Sequence, residues 1–491
     1  MKYETLAAVD LGSNSFHLQI GRVVDEQIYL LDSFREPVRL GGGLTRERRI
    51  DRSTQLRALE ALRRFGERLR GFPRGAVRAV GTNALRVAKN ADQFLVEAGN
   101  VLGHPIEVIF GREEARLIYV GVAHTLPPSQ ERRLVVDIGG GSTECIIGTG
   151  LDPELTESIT MGCVSYSLQY FPEGRLEKSS FKKAELAAAN ELQWIVKSFR
   201  RTGWRQAVGS SGTARAIAAI LQENGWAEHG ITPWGLKKLR SAFVEAGDVA
   251  NLGIPGLRED RGAILPGGIA IMSAVMDEFG IDHIEVSEGA LRQGVLYDLL
   301  GRVAHHDMRE ATVTQFARRY HVDAAQAERV AALAAKLFAE MAPAPNDGDM
   351  LMLRWASTLH EIGISIAHAA YHKHSAYIIS QADMPGFSQM EQARLSRLIL
   401  AHRGKLSKLE GLSARSPDWP IIYALRLAAL LYLSRQDVEL PHIGCRPTES
   451  GLQLSMSRQW LDEHPLTEAA LDGEANEWRS LGMKLDLRPS G

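Results

Sequence analysis

Arg133-Leu-Val-Val-Asp137-Ile-Gly-Gly-Gly-Ser-Thr-Glu144-Cys-Ile-Ile-Gly148 is the stretch on which the fold turns. An apolar run ends on an acid. Three glycines and two hydroxyl residues follow, and a second apolar run starts at another acid. The pattern predicts a buried strand, a tight turn and a returning strand. Gly139, Gly140 and Gly141 permit backbone conformations closed to other residues. They also let main-chain N–H groups close around an oxyanion. Ser142 and Thr143 add hydroxyl donors. Asp137 and Glu144 flank the turn as carboxylates suited to holding Mg2+ or orienting water. Three glycines alone would describe any tight hairpin, but two acids and two hydroxyls beside them point to phosphate.

The same layout stands at the start of the chain. Leu6-Ala-Ala-Val-Asp10 is an apolar run ending on an acid, followed by Leu-Gly-Ser-Asn-Ser15 and a strand-like segment from Phe16 to Ile20. Gly12, Ser13 and Asn14 can form a matching phosphate loop, with Asp10 in reach of a hydrated metal. Two such hairpins facing each other would clamp phosphate from both sides. Gly209-Ser-Ser-Gly-Thr213 supplies a third loop at a helix N-terminus, where Gly212 and Thr213 can meet an anion. Further strands are expected over 27–31, 76–80 and 106–109. Helices are expected over 53–71, 91–102, 182–201 and 213–223. The region up to residue 304 therefore reads as two α/β halves, 1–128 and 129–304.

With 491 residues the chain exceeds what one hydrophobic core supports, and its 45% hydrophobic content can fill several. From 305 to 440 the texture is helical and rich in Ala and Leu. The remainder, 441–491, holds short alternating pieces and reads as a small β-containing unit. The net charge of −2 excludes a global basic field as the means of attracting a polyanion. Local clusters must do so, and Arg46, Arg48, Arg49 and Arg52, then Arg63, Arg64, Arg68 and Arg70, then Lys373, Arg403, Lys405 and Lys408 are the candidates. Aromatic interleaving is sparse, which argues against nucleic acid as a partner. Cys145, Cys163 and Cys445 are odd in number and lack close spacing, so a reducing, cytoplasmic setting is expected. No secretory leader and no apolar run long enough to span a membrane is expected.

With Leu265-Pro-Gly-Gly268, the three loops resemble the actin-like ATPase superfamily. Within it, Asp10-Leu-Gly-Ser-Asn-Ser-Phe-His17, Gly111-Arg-Glu-Glu-Ala-Arg-Leu117, Asp137–Glu144, Met161-Gly-Cys-Val164 and Ser287-Glu-Gly-Ala-Leu-Arg-Gln-Gly294 resemble the exopolyphosphatase/guanosine pentaphosphate phosphohydrolase family. Leu359-His-Glu-Ile-Gly363 and His372-Lys-His-Ser-Ala-Tyr377 extend the likeness into the helical part, in the manner of the long bacterial form. The resemblance implies an α/β fold of two actin-like (ribonuclease H-like) domains around a cleft, then an all-α HD-like domain with a degenerate metal site, then the small C-terminal domain. Glu361 stands where an HD doublet carries Asp, and Ala429 where it carries its later acid.

The resemblance also implies roles. Glu114 corresponds to the base that activates water, with Glu113 as its rival. Asp137 and Glu144 correspond to acids supporting catalysis and metal binding. Gly139, Gly140, Gly141 and Ser142 correspond to the phosphate loop, and Arg86 to a cation on substrate phosphate. The expected cofactor is Mg2+, with K+ as an optional activator. The expected activity is processive release of orthophosphate from inorganic polyphosphate. The alternative is conversion of guanosine pentaphosphate (pppGpp) to the tetraphosphate, and a non-catalytic sensor of either ligand is a second alternative. A homodimer is implied, in the cytoplasm or at the periphery of the inner membrane.

Overall fold

The computed structural model describes residues 3–303, 306–342, 347–413, 415–448 and 450–490. It forms two compact units. The first comprises Met1–Met308 with Pro385–Gln389, and the second comprises Arg309–Met384 with Met390–Gly491.

The first unit is built on two five-stranded sheets. One contains β1 (Thr5–Leu11), β2 (Phe16–Val24), β3 (Gln27–Glu36), β4 (Val77–Gly81) and β5 (Ile106–Val108) in the order β3-β2-β1-β4-β5. The other contains β6 (Arg132–Ile138), β7 (Thr143–Thr149), β8 (Asp152–Ile159), β9 (Gln206–Ser210) and β10 (Glu285–Val286) in the order β10-β9-β6-β7-β8. Taken from its other edge, the second order repeats the first. In both, the first strand pairs antiparallel with the second and parallel with the fourth. The duplication expected from the two Asp-Xaa-Gly turns is thus a duplication of whole sheets.

The apolar runs are continuous because both faces of the central strands are covered. Ala7, Val9 and Leu11 join one core, with Leu59, Leu62 and Phe65 of the Arg52–Arg68 helix and Phe94 of the Ala91–Leu102 helix. Leu6 and Ala8, on the opposite face, join a second core with Val135, Ile146 and Val208. That second core contains strand residues of both sheets. Between them run the Gly111–Ala123 and Leu291–Val303 helices. These helices cross where glycines leave no room for a side chain: a Cβ on Gly294 would lie 1.7 Å from the Leu117 carbonyl oxygen, and one on Gly121 2.1 Å from that of Ala290. Gly294→Ala is therefore expected to destabilise the fold by about 3 kcal/mol or more, as overpacking against backbone does. Chemical denaturation of the full chain measures this, and an unchanged midpoint would show that the crossing can widen freely.

The second unit is helical, with Met308–Arg319, Ala324–Met341, Asp347–Leu359, Tyr371–Gln381, Gln389–Ala401 and Asp418–Leu431 as its main helices. A three-stranded sheet, β11 (Gly444–Thr448), β12 (Gly451–Ser457) and β13 (Lys484–Ser490), belongs to the same unit. The Pro465–Ser480 helix ties the sheet to the helices. Its Trp478 stacks on Tyr423 with ring centroids 3.5 Å apart, and its Glu474 accepts hydrogen bonds from the buried Arg426 at 2.5 and 2.7 Å. Among the described residues, no helix is long and apolar enough to cross a membrane. All three cysteines are buried and free.

Candidate active site

Both predicted hairpin turns lie at the ends of the central strands, and they face each other. A Cβ built on Gly140 would lie 3.0 Å from the Ser13 Cβ, and one on Gly141 would lie 2.5 Å from Asn83 Oδ1 and 3.4 Å from Ser13 Oγ. Only glycine permits that approach. The carbonyls of Gly139 and Gly140 are taken by the N–H groups of Cys163 and Val164 at 2.9 and 3.0 Å, where the Cys163–Tyr170 helix begins. The turn is thereby fixed.

Between the turns lies a cavity of about 520 Å3. Its wall includes Asp10, Ser13, Asn14, Glu114, Asp137, Gly139, Gly140, Gly141, Ser142, Gly212 and Thr213. The three loops named from the sequence are thus brought to one place. Arg86 and Glu144 are not part of this wall. Arg86 stands beside Glu114, its Nη1 donating to Glu114 Oε2 at 3.1 Å and to the Ile109 carbonyl at 2.9 Å. Glu144 is buried, and its Oε1 accepts a hydrogen bond from the Ser158 hydroxyl at 2.8 Å.

Glu114 occupies the first turn of the Gly111–Ala123 helix, where the macrodipole favours an acid. Its neighbour Glu113 is directed elsewhere. Glu113 makes a two-pronged pair with Arg116 at 2.8 Å for each contact and is absent from the cavity wall. Of the two acids, Glu114 alone among the described residues reaches the cavity.

The carboxylates here are held away from water and near one another. Burial pushes Asp10 up to about 7, with Glu114 and Asp137 adding to the shift and Arg292 opposing it. Burial likewise pushes Asp137 up to about 6, against the Ser210 hydroxyl, Arg215 and Arg292. Glu144 is raised well above the usual carboxylate range by burial, then by Glu114 and Asp137. Burial also raises Glu114, although Arg86 counteracts it. Asp10 Oδ1 is buried without a hydrogen-bond partner. No trio of His, Cys, Asp or Glu among the described residues forms a metal-ligand set unaided. Mg2+ keeps several waters and takes one or two carboxylates together with substrate phosphate. An orphaned carboxylate oxygen amid mutually repelling acids fits such a hydrated cation.

The cations of the site escaped the sequence reading. Arg35, Arg215, Arg258, Arg261 and Arg292 line the cavity, from β3, the Ser211–Glu223 helix, the loop after Gly256 and the start of the Leu291–Val303 helix. His17, another wall residue, reports their field: burial first, then Arg292, Arg35, Arg215 and Arg261, push it down to about 2. Only Arg292 sat inside a quoted motif. The contiguous Arg46–Arg52 and Arg63–Arg70 clusters are exposed and contribute nothing to the cavity wall. Lys373, Arg403, Lys405 and Lys408 belong to the second unit. There, His360 and His402 have ring centroids 5.0 Å apart, and Glu361 is paired with Arg435 at 2.7 Å.

A duplicated sheet fold with two opposed Gly-rich turns and an acid at the cavity wall defines a protein built to hold phosphate groups in a cleft. The comparisons give it a family. A model of the Ppx/GppA phosphatase family matches residues 19–303, and one of Ppx/GppA phosphatase domain III matches residues 308–475. A guanosine-5'-triphosphate,3'-diphosphate pyrophosphatase from Aeromonas hydrophila is 38% identical over 483 residues, covering 97% of each chain. Among solved structures, an exopolyphosphatase from Cytophaga hutchinsonii is 26% identical, with a TM-score of 0.55, over 61% of this chain and 98% of that one. The Aquifex aeolicus Ppx/GppA family member is also 26% identical, with a TM-score of 0.52, over 61% and 99%. The chain belongs to the Ppx/GppA phosphatase family, hydrolases of phosphoric anhydrides.

Proposed function

We propose that this enzyme removes the 5'-terminal phosphate of guanosine pentaphosphate, leaving the tetraphosphate. The sequence reading put inorganic polyphosphate first and this reaction second, and the order is now reversed. The observation that carries the choice is the relative matched over 97% of both chains, whose name states guanosine-5'-triphosphate,3'-diphosphate as its substrate. The structural relative named for polyphosphate is matched over 61% of this chain only. A cavity of about 520 Å3 suits one nucleotide. The arginines around His17 supply charge for a second phosphate group besides the one being cleaved.

In this reading Glu114 takes a proton from water as the water oxygen attacks the terminal phosphorus. The new O–P bond forms as the bond from phosphorus to the bridging oxygen breaks. The electron pair leaves with the tetraphosphate. The N–H groups of Gly140, Gly141 and Ser142, the Ser13–Asn14 turn and the nearby arginines offset charge on the phosphoryl oxygens. Asp10 and Asp137, with Glu144 behind them, are the residues that would hold Mg2+, which supplies further charge neutralisation when bound. A poised base argues against a pure sensor, since binding alone needs none.

Orthophosphate release from guanosine pentaphosphate and from long-chain polyphosphate, measured side by side with Mg2+, tests the choice. The expected result is a higher kcat/KM for the nucleotide. Arg261→Ala should raise its KM by about tenfold, the worth of one charge-assisted contact, with kcat little changed. A higher kcat/KM for polyphosphate would overturn the assignment.

A further inference from the structure

Glu113 has no place in the chemistry, yet it is buried on the helix turn that carries Glu114. Its Oε2 accepts the Gly386 N–H at 2.9 Å as well as Arg116 Nε at 2.8 Å. Gly386 is held at its other end too: Arg302 donates to its carbonyl at 2.7 Å and to Asp298 at 3.0 Å. Asp298 also receives Arg78 at 2.5 Å and is paired with Arg116. Against the burial that would raise it, Arg116, Arg78 and Arg302 keep Asp298 ionised. Gly386, with φ +87, lies in Pro385–Gln389, the segment beyond Met308 that belongs to the first unit.

Buried ion networks of this kind are a poor route to stability, because desolvation offsets most of the attraction. What this one does is fix geometry. One residue, Gly386, is gripped through its N–H by the helix bearing Glu114 and through its carbonyl by the helix crossing it. Glu114 in turn must hold its orientation to Arg86 and Asp137, and a displacement of about 1 Å at a catalytic group can cost about 100-fold in rate.

We propose that Glu113 is the positioning residue of the base, pinning the first turn of the Gly111–Ala123 helix to Gly386 and, through Arg116, to Asp298. This rests on the reading of Glu114 as the base. The test uses the full chain with Glu113→Gln, Arg302→Met and Arg302→Lys, assayed on guanosine pentaphosphate with Mg2+ across pH. The folded fraction is measured in parallel. Glu113→Gln and Arg302→Met should lower kcat per folded molecule about tenfold, with KM within twofold. The acid limb of kcat should move to higher pH, because a base drawn away from Arg86 loses the charge that opposes its burial. Arg302→Lys, which keeps a donor for the Gly386 carbonyl, should restore part of both. If Glu113→Gln does not fold, Arg302→Met decides, since it leaves the base helix intact. A lower melting temperature with kcat and the acid limb unchanged would overturn the proposal. Glu114→Gln, run alongside, separates the two ideas. Full turnover there removes the base reading and this proposal with it. An inactive Glu114→Gln beside unaltered Arg302→Met removes the positioning role alone.

Discussion

Glu114→Gln is expected to lower kcat by about 100- to 10,000-fold, the usual worth of a positioned general base, while KM stays within a few-fold. Gln is the same size and can still accept the Arg86 hydrogen bond, so loss of packing is a poor explanation for loss of rate. No neighbour is poised to replace it. Glu113 is consumed by Arg116 and Gly386, and Glu144 lies off the cavity wall with its carboxyl raised well above the usual range. Asp10 and Asp137 do line the cavity, but in this reading they are committed to the cation. The wild-type profile should carry an acid limb, with kcat rising as Glu114 loses its proton. That limb should disappear from whatever activity the variant retains. Steady-state kinetics of phosphate release between pH 5 and 9 give both results. A variant with wild-type kcat would remove Glu114 from the mechanism.

What could be read from residues alone follows how each feature is encoded. The central strands were legible because strand, acid, glycine turn and returning strand are contiguous, as at Leu6–Ile20 and Arg133–Gly148. Their lack of alternation was itself a signal, since burial of both faces demands it. Harder to see were β8, whose Pro153, Glu154, Glu157 and polar neighbours hide a strand, and β10, two residues long. Leu265-Pro-Gly-Gly268 read as part of a loop set, yet it opens the Leu265–Phe279 helix. Pro266 sits in the first turn, where its missing N–H costs no helical hydrogen bond, and Gly267 and Gly268 allow close packing on Cys163 and Thr213. The C-terminal sheet was expected only as short alternating pieces within 441–491. Helix was expected in this α+β unit, but Pro465–Ser480 was not located, because its mixed polar pattern gains definition from Trp478 and Glu474 meeting another helix.

The site divides in the same way. Groups supplied by one turn, such as Gly139, Gly140, Gly141 and Ser142, were visible as a unit. Cations supplied singly by separate elements were not: Arg35, Arg215, Arg261 and Arg292 lie far apart in the chain and converge only in the fold. Runs of adjacent arginines drew notice instead. Adjacency in a helix spreads side chains around its surface, where Arg63 and Arg64 pair with Glu60 and Glu36. The choice between Glu113 and Glu114 also had to await the fold. Neighbours on a helix point about 100° apart, and only the packing tells which side is the cavity.

Asp10→Asn is expected to abolish most activity and yet make the metal-free protein more stable at pH 8. The sign follows from linkage. Asp10 titrates at 3.8 when unfolded and at about 7 in the fold, so between those values the folded state holds a proton that the unfolded chain has released. Stability contributed by this group therefore falls as pH rises through that window, and the full penalty is present above it. Roughly three pH units correspond to about 4 kcal/mol at pH 8, shrinking to less than half of that at pH 5. Asparagine, which carries no charge, removes this penalty. Denaturation midpoints at the two pH values, with chelator present, should show the stabilisation and its shrinkage. Added Mg2+ should then favour the wild type over the variant, because a cation among Asp10, Asp137 and Glu144 stabilises the ionised carboxylates that the bare fold disfavours. Opposite movement of stability and activity is what a functional cluster of strained charges produces. If instead Asp10→Asn were less stable than wild type at pH 8 without Mg2+, the Asp10 carboxylate would be satisfied by the protein itself. Its orphaned Oδ1 would then no longer argue for a bound cation.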